Sequence, residues 1–131
     1  MIESKDSLDP KDWIGKAKKD ARRVVVLLAD NDVEGAGFHL QQAIEKYLKA
    51  YLISKGWKLE YIHDLVKLLN YAVKHNPDFE RFRTLCKWVT DQYIIDRYPL
   101  FGMVPPAKEE IEKVNRESID LFSKIDKELE K

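Results

Sequence analysis

Residues 33–55 read VEGAGFHLQQAIEKYLKAYLISK, and this stretch decides the fold. Its apolar residues recur at steps of three and four, which is the spacing of one face of an α-helix. These apolar residues are Ala36, Leu40, Ala43, Ile44, Tyr47, Leu48, Tyr51 and Leu52. Gly56 follows, and glycine is a common residue just past the end of a helix. The pattern predicts a helix from about Val33 to Lys55 with one buried face.

Two residues of this helix do not fit its buried face. Phe38 projects from the opposite, polar side, near Gln42 and Glu45, and Gln41 falls at the edge of the apolar stripe. A buried amide needs hydrogen-bond partners, and an exposed Phe needs a second surface to cover it. Packing against a neighbouring helix and binding of a ligand or partner both explain these positions.

Four further segments have helical spacing, and none alternates like a strand. The first begins at Asp9-Pro10, a capping residue followed by a proline in the first turn. The others run from about Ile62 to Lys74, from about Phe79 to Asp96, and from Pro105-Pro106 onward. The apolar stripe predicted for the first helix comprises Ile14, Ala17, Ala21, Val24, Val25 and Leu28. We predict an all-α, antiparallel up-and-down bundle of four to five helices, forming a single domain over residues 1–131.

A group of cations lies off the apolar stripe of the first helix. They are Lys16, Lys18, Lys19, Arg22 and Arg23. A solvated helix face explains them, and so does a role in binding phosphate.

Composition excludes several classes of protein. Lys plus Arg equals Asp plus Glu at 23 each, so no global charge favours a basic RNA-coating protein. Cys86 is the single cysteine, which excludes an intramolecular disulfide and a cysteine-based zinc site. The polar N-terminal residues lack the apolar run of a signal peptide, and no stretch approaches the ~20 apolar residues of a membrane helix. We therefore expect a cytoplasmic protein without membrane contact.

Motifs for self-contained catalysis are missing from the sequence. The glycines never follow the spacing of a phosphate-binding loop, and no GxSxG elbow exists. His39, His63 and His75 are too far apart for a helical two-histidine metal motif. We therefore predict no metal, no cofactor and no catalytic residue.

Three motifs resemble the HEPN family, the higher eukaryotes and prokaryotes nucleotide-binding domain. Residues 38–50, FHLQQAIEKYLKA, are similar to the family's signature helix, close to F-H-x-Q-Q-A-x-E-K-x-L-K-A. His63-Asp64-Leu65 opens the third helix and Arg97-Tyr98-Pro99 ends the fourth, in the family's order. The similarity spans about Ala21 to Phe122. The resemblance implies a four- or five-helix bundle, commonly a homodimer, and as partner a minimal nucleotidyltransferase encoded beside it.

Relatives in this family include ribonuclease toxins and proteins regarded as substrate-binding subunits of the transferase. The ribonuclease branch carries an Arg, four to six residues, and then a His. No such spacing occurs in this sequence, and only Lys58 stands at that distance before His63. A lysine does not reproduce the planar fork of arginine. Ribonuclease activity is therefore disfavoured.

The sequence thus predicts a nucleotide- or substrate-binding accessory protein, in a toxin–antitoxin-like pair with the transferase. Its predicted polar groove comprises Gln41, Gln42, Glu45, Lys46, His63, Asp91, Arg97 and Tyr98. In this groove amides read base edges, Lys46 and Arg97 bind phosphate, and Tyr98 stacks on a base, while Asp91 orients Arg97. One alternative is a metal-independent ribonuclease with His63 as general base and Lys58 or Arg97 stabilising the pentavalent phosphate. The other is a structural dimer whose polar residues form an internal network. RNA is the less favoured ligand.

Overall fold

The computed structural model describes residues 7–97 and 106–131, and for residues 93–97 it describes the backbone alone. Its elements are helices α1 (Pro10–Ala29), α2 (Val33–Ser54), α3 (Leu65–His75), α4 (Arg83–Arg97) and α5 (Lys108–Leu129), and a 3-10 helix (Pro77–Phe82) between α3 and α4. The described residues contain no strand. The predicted all-α helical bundle is confirmed.

Capping side chains explain where α1, α2 and α3 begin. Asp9 accepts a hydrogen bond from the Lys11 N–H at 2.9 Å, and Asp32 accepts one from the Gly35 N–H at 2.9 Å. Asp64 accepts bonds from the N–H groups of Val66 and Lys67. Each carboxylate pairs backbone donors that have no partner inside the helix.

The third and fourth helices begin later than their patterns predict. α3 begins at Leu65 rather than Ile62, because Asp64 takes the capping position and leaves His63 just outside the helix. Residues 79–82, predicted as the start of the fourth α-helix, belong to the 3-10 helix, with Pro77 in its first turn and Asn76 as its cap. The last helix likewise begins at Lys108, two residues after Pro106.

The core forms around α2, which packs against each of the other four α-helices. All eight residues of its predicted stripe are buried, from Ala36 to Leu52. In α1, however, Val25 is 60% exposed, because the buried face runs through Trp13, Ala17, Asp20, Val24 and Leu28 instead. Ile119 of α5, predicted on its apolar side, is also exposed.

Candidate functional site

The polar side of α2 divides into two edges. At 100° per residue, Gln41 and Glu45 lie at one edge, while His39 and Lys46 lie at the other, with Gln42 between them. The first edge faces the segment before α3, and the second edge faces α1. Each edge is organised around one buried carboxylate.

Glu45 is the centre of the first edge. It is 4% exposed and belongs to an otherwise buried part of α2. Its Oε1 accepts hydrogen bonds from Gln41 Nε2 at 3.2 Å and from His63 Nδ1 at 3.0 Å. Gln41 Nε2 also donates to the His63 carbonyl oxygen at 3.2 Å, which holds the backbone of this segment against α2. Gln42 Nε2 donates to Gln41 Oε1 at 2.7 Å and extends the network toward the surface.

Lys49, one turn after Glu45 on α2, completes the first network. Its ammonium donates to Glu45 Oε2 at 3.1 Å, and its side chain is only 4% exposed. The Trp13 ring of α1 covers this ammonium, with its centroid 5.7 Å from Lys49 Nζ. A buried ion pair needs additional bonds to compensate for its desolvation, and Gln41 and His63 supply them.

Asp20 of α1 is the centre of the second edge. Its carboxylate is 3% exposed and accepts hydrogen bonds from Lys46 Nζ at 2.5 Å and from His39 Nδ1 at 2.8 Å. Arg23 Nη1 lies 3.3 Å from the same carboxylate. Burial alone would raise the pKa of Asp20, but the hydrogen bonds from Lys46 and His39 outweigh it and lower that pKa. Asp20 is therefore an anion that fixes one end of both side chains.

The predicted site residues separate into four groups. Gln41, Gln42, Glu45 and His63 are connected by hydrogen bonds. Lys46 instead pairs with Asp20, and Asp91 accepts a bond from Lys87 on the exposed side of α4. Arg97 is the last residue of α4, but its side chain and Tyr98 lie outside the described residues. The predicted contact of Arg97 and Tyr98 with α2 stays a prediction.

Sequence reasoning missed Asp20 and Lys49 as members of these networks. A signal for Asp20 was present, since it stands on the buried stripe of α1 at the helical spacing of Ala17 and Val24. A carboxylate on an apolar stripe requires a partner on the facing helix. No comparable signal marked Lys49, whose position beside Trp13 depends on how α1 crosses α2.

Other reactive groups do not extend either network. Cys86 is fully buried on α4, and its burial raises the pKa of the thiol to about 12, so the nucleophilic thiolate does not form near neutral pH. Among the residues that the structure describes, no three His, Cys, Asp or Glu side chains are grouped to hold a metal ion.

A family model for the HEPN domain matches residues 10–127, which is most of the chain. This chain belongs to the HEPN family. A HEPN domain is a nucleotide-binding or ribonuclease-type domain, and the matched residues include all of α2, which contributes side chains to both polar networks. Searches of curated proteins and of solved structures gave no match. Within the described part of this HEPN domain, no helix has the length and apolar character needed to span a membrane.

Proposed function

We propose that this HEPN domain is a non-catalytic accessory protein that binds a nucleotide or a nucleotidyl acceptor for a separate minimal nucleotidyltransferase. In this proposal it acts as a homodimer or within a complex with that transferase, as one member of a toxin–antitoxin-like pair. The observation that carries the proposal is the face of α2 between the two networks. There Gln42 is half-buried, and the side chains of His63 and Lys46 are 54% and 22% exposed.

Fixed orientation supports a binding role for this face. Gln42 donates its amide N–H to Gln41, so its carbonyl oxygen remains available to accept a bond from a base. His63 donates Nδ1–H to Glu45, which leaves Nε2 for a ligand. Side chains held by hydrogen bonds before binding lose less entropy when a ligand arrives. The face therefore suits recognition of a polar, hydrogen-bonding molecule such as a nucleoside.

The test is nucleotide titration on matched amide variants. We expect Gln42→Ala to weaken binding of a nucleoside triphosphate by about 0.5–1.5 kcal/mol, the contribution of one neutral hydrogen bond, with little change in melting temperature. Asn70→Ala removes an exposed amide from α3 and should leave affinity unchanged. Calorimetric titration, with and without the neighbouring transferase, measures both. The proposal is wrong if the wild type binds no nucleoside triphosphate under either condition.

One observation favours a second candidate, the metal-independent ribonuclease. The contact between Glu45 and His63 resembles the carboxylate–imidazole pair that orients a general base. No arginine stands at the family's spacing before any histidine, however, and Lys58 forms no ion pair or hydrogen bond with another described residue. Among the described side chains, the Glu45–His63 pair is therefore bonded to no arginine that would stabilise a pentavalent phosphate, and the side chain of Arg97, the other predicted cation, lies outside them.

We expect the wild-type protein to leave single-stranded RNA intact in the absence of metal. Gel analysis of an end-labelled RNA, incubated with wild type and with His63→Ala, measures cleavage directly. Loss of a general base typically reduces a rate by 100-fold or more. Cleavage by the wild type that disappears in His63→Ala would replace the accessory role with the ribonuclease role.

A further inference from the structure

An open pocket of about 430 Å³ borders the Asp20 network, on the α1 side of His39. It is lined by Lys19, Arg22, Arg23, Val26, Leu27 and His39. Its volume falls within the usual range of small-molecule sites. No acidic side chain is among the described residues that line it.

Helix geometry places the cations of α1 in this pocket. Lys19, Arg22, Arg23 and Val26 are separated by three, one and three residues, so they share one face of α1. His39 approaches from α2, because its Nδ1 is bonded to Asp20 of the facing helix. The pocket is therefore formed by two helices whose relative position is fixed by buried contacts.

The charges of the pocket are incompletely neutralised. Lys19 and Arg22 pair with no other described residue, and both are exposed. Arg23 shares the carboxylate of Asp20 with Lys46, so this single anion does not balance the three permanent cations that line the pocket. Positive charge concentrated in a concave surface attracts anions and raises their local concentration.

Asp20 also determines which atoms face a ligand. Because its carboxylate accepts the Nδ1–H of His39, the imidazole leaves Nε2 for the pocket. It holds one guanidinium nitrogen of Arg23, while that side chain remains 56% exposed and keeps other donors available. The guanidinium groups of Arg22 and Arg23 present forked donors that match two oxygens of one phosphate.

We propose that this pocket binds the polyphosphate chain of a ligand, with Lys19, Arg22 and Arg23 as its phosphate-binding residues. Several cations around one concavity match a chain of adjacent phosphates better than a single carboxylate. The proposal deepens the proposed function, on which it rests for the nature of the ligand, because it places the phosphates on α1 beside the α2 face. The same chemistry occurs in free nucleoside triphosphates and in the RNA backbone.

The experiment compares two double variants of equal charge by calorimetric titration with inorganic tripolyphosphate. Lys19→Gln/Arg22→Gln should weaken binding about tenfold or more, since each removed cation made a charge-assisted bond. Lys16→Gln/Lys18→Gln removes two exposed cations of α1 that do not line the pocket, and should change affinity less than threefold. All four positions are exposed, so circular dichroism should show unchanged folding.

Equal losses of tripolyphosphate affinity in the two double variants would indicate diffuse electrostatic attraction and would overturn the pocket. Absence of tripolyphosphate binding by the wild type would overturn it as well. Parallel titrations with ATP and with an oligouridine identify the source of the phosphates, and either source supports the pocket if its binding falls in Lys19→Gln/Arg22→Gln alone.

Gln42→Ala separates the two proposals. ATP binding weakened in Gln42→Ala but unchanged in Lys19→Gln/Arg22→Gln would refute the pocket and keep the proposed function. In the opposite case, tripolyphosphate binds through the pocket as tightly as ATP, while Gln42→Ala changes the affinity for neither ligand. That result would refute nucleoside recognition and keep the pocket.

Discussion

Asp20 is the residue on which the contact between α1 and α2 most depends electrostatically. Its buried carboxylate joins Lys46 and His39 of α2 to Arg23 of α1. Its pKa is lowered because these hydrogen bonds outweigh the effect of burial. A carboxylate with a depressed pKa in the folded state stabilises the fold above its unfolded pKa of about 3.9. That stability is lost as the pH falls through the folded pKa.

We therefore expect Asp20→Asn to be less stable than the wild type at neutral pH, by about 1.5–3 kcal/mol for hydrogen bonds to a charged group. The difference should shrink as the pH falls below about 4, because the wild-type carboxylate then also becomes neutral. Urea unfolding at a series of pH values measures both trends. Asp91→Asn, which changes an exposed carboxylate of α4, should follow the wild type. A difference independent of pH down to pH 2 would contradict this account of Asp20.

At the scale of the element, the end of α2 depends on one backbone conformation. Gly56 has a φ of +88°, in the left-handed region that side chains with a Cβ adopt only at a cost. It follows Lys55, the C-terminal capping residue, and allows the chain to turn toward Trp57. The Trp57 N–H donates to the Leu52 carbonyl at 3.0 Å, which satisfies one carbonyl of the last turn.

Two glycine substitutions test this explanation because neither added Cβ meets another atom within 4 Å. Gly56→Ala should lower the free energy of unfolding by about 1 kcal/mol, since alanine is strained at positive φ. Gly15→Ala, in the exposed interior of α1, should raise it by about 0.5–1 kcal/mol through helix propensity. Chemical denaturation of both variants measures the changes. Stabilisation by Gly56→Ala would show that the turn does not require glycine.

At the scale of the whole molecule, some apolar side chains remain uncovered by the described residues of one bundle. Phe38 on the signature helix is 44% exposed, and Ile119 on α5 is 54% exposed. The ring of Phe38 contacts only the edge of His39 among described aromatic residues, with centroids 5.2 Å apart. An exposed apolar side chain on a helix is removed from water when another protein surface packs against it. This exposure supports the proposed dimer or transferase complex.

We expect light scattering of the pure protein at micromolar concentration to give the mass of a dimer, or of a one-to-one complex once the transferase is added. A homodimer is expected to have two-fold symmetry. Phe38→Asp should shift the mass toward the monomer, because a charge would be buried at the interface. Leu8→Asp changes another exposed apolar residue, before α1, and should leave the mass unchanged. A monomer under both conditions would contradict assembly.

The amino-acid sequence by itself determined the helical segments, the buried stripe of α2 and the resemblance to the HEPN family. These features depend on local spacing and on short motifs, so they can be recognised without coordinates.

Only the tertiary structure decided which polar groups meet. His63 follows Glu45 by 18 residues in the sequence, and Lys46 follows Asp20 by 26. Each contact therefore forms only when the helices and loops pack in one particular register. That register follows from burial of the whole apolar core, which no single motif encodes. Helix geometry already places Lys46 on a different edge of α2 from Gln41 and Glu45, but only the packing of α1 makes Asp20 its partner.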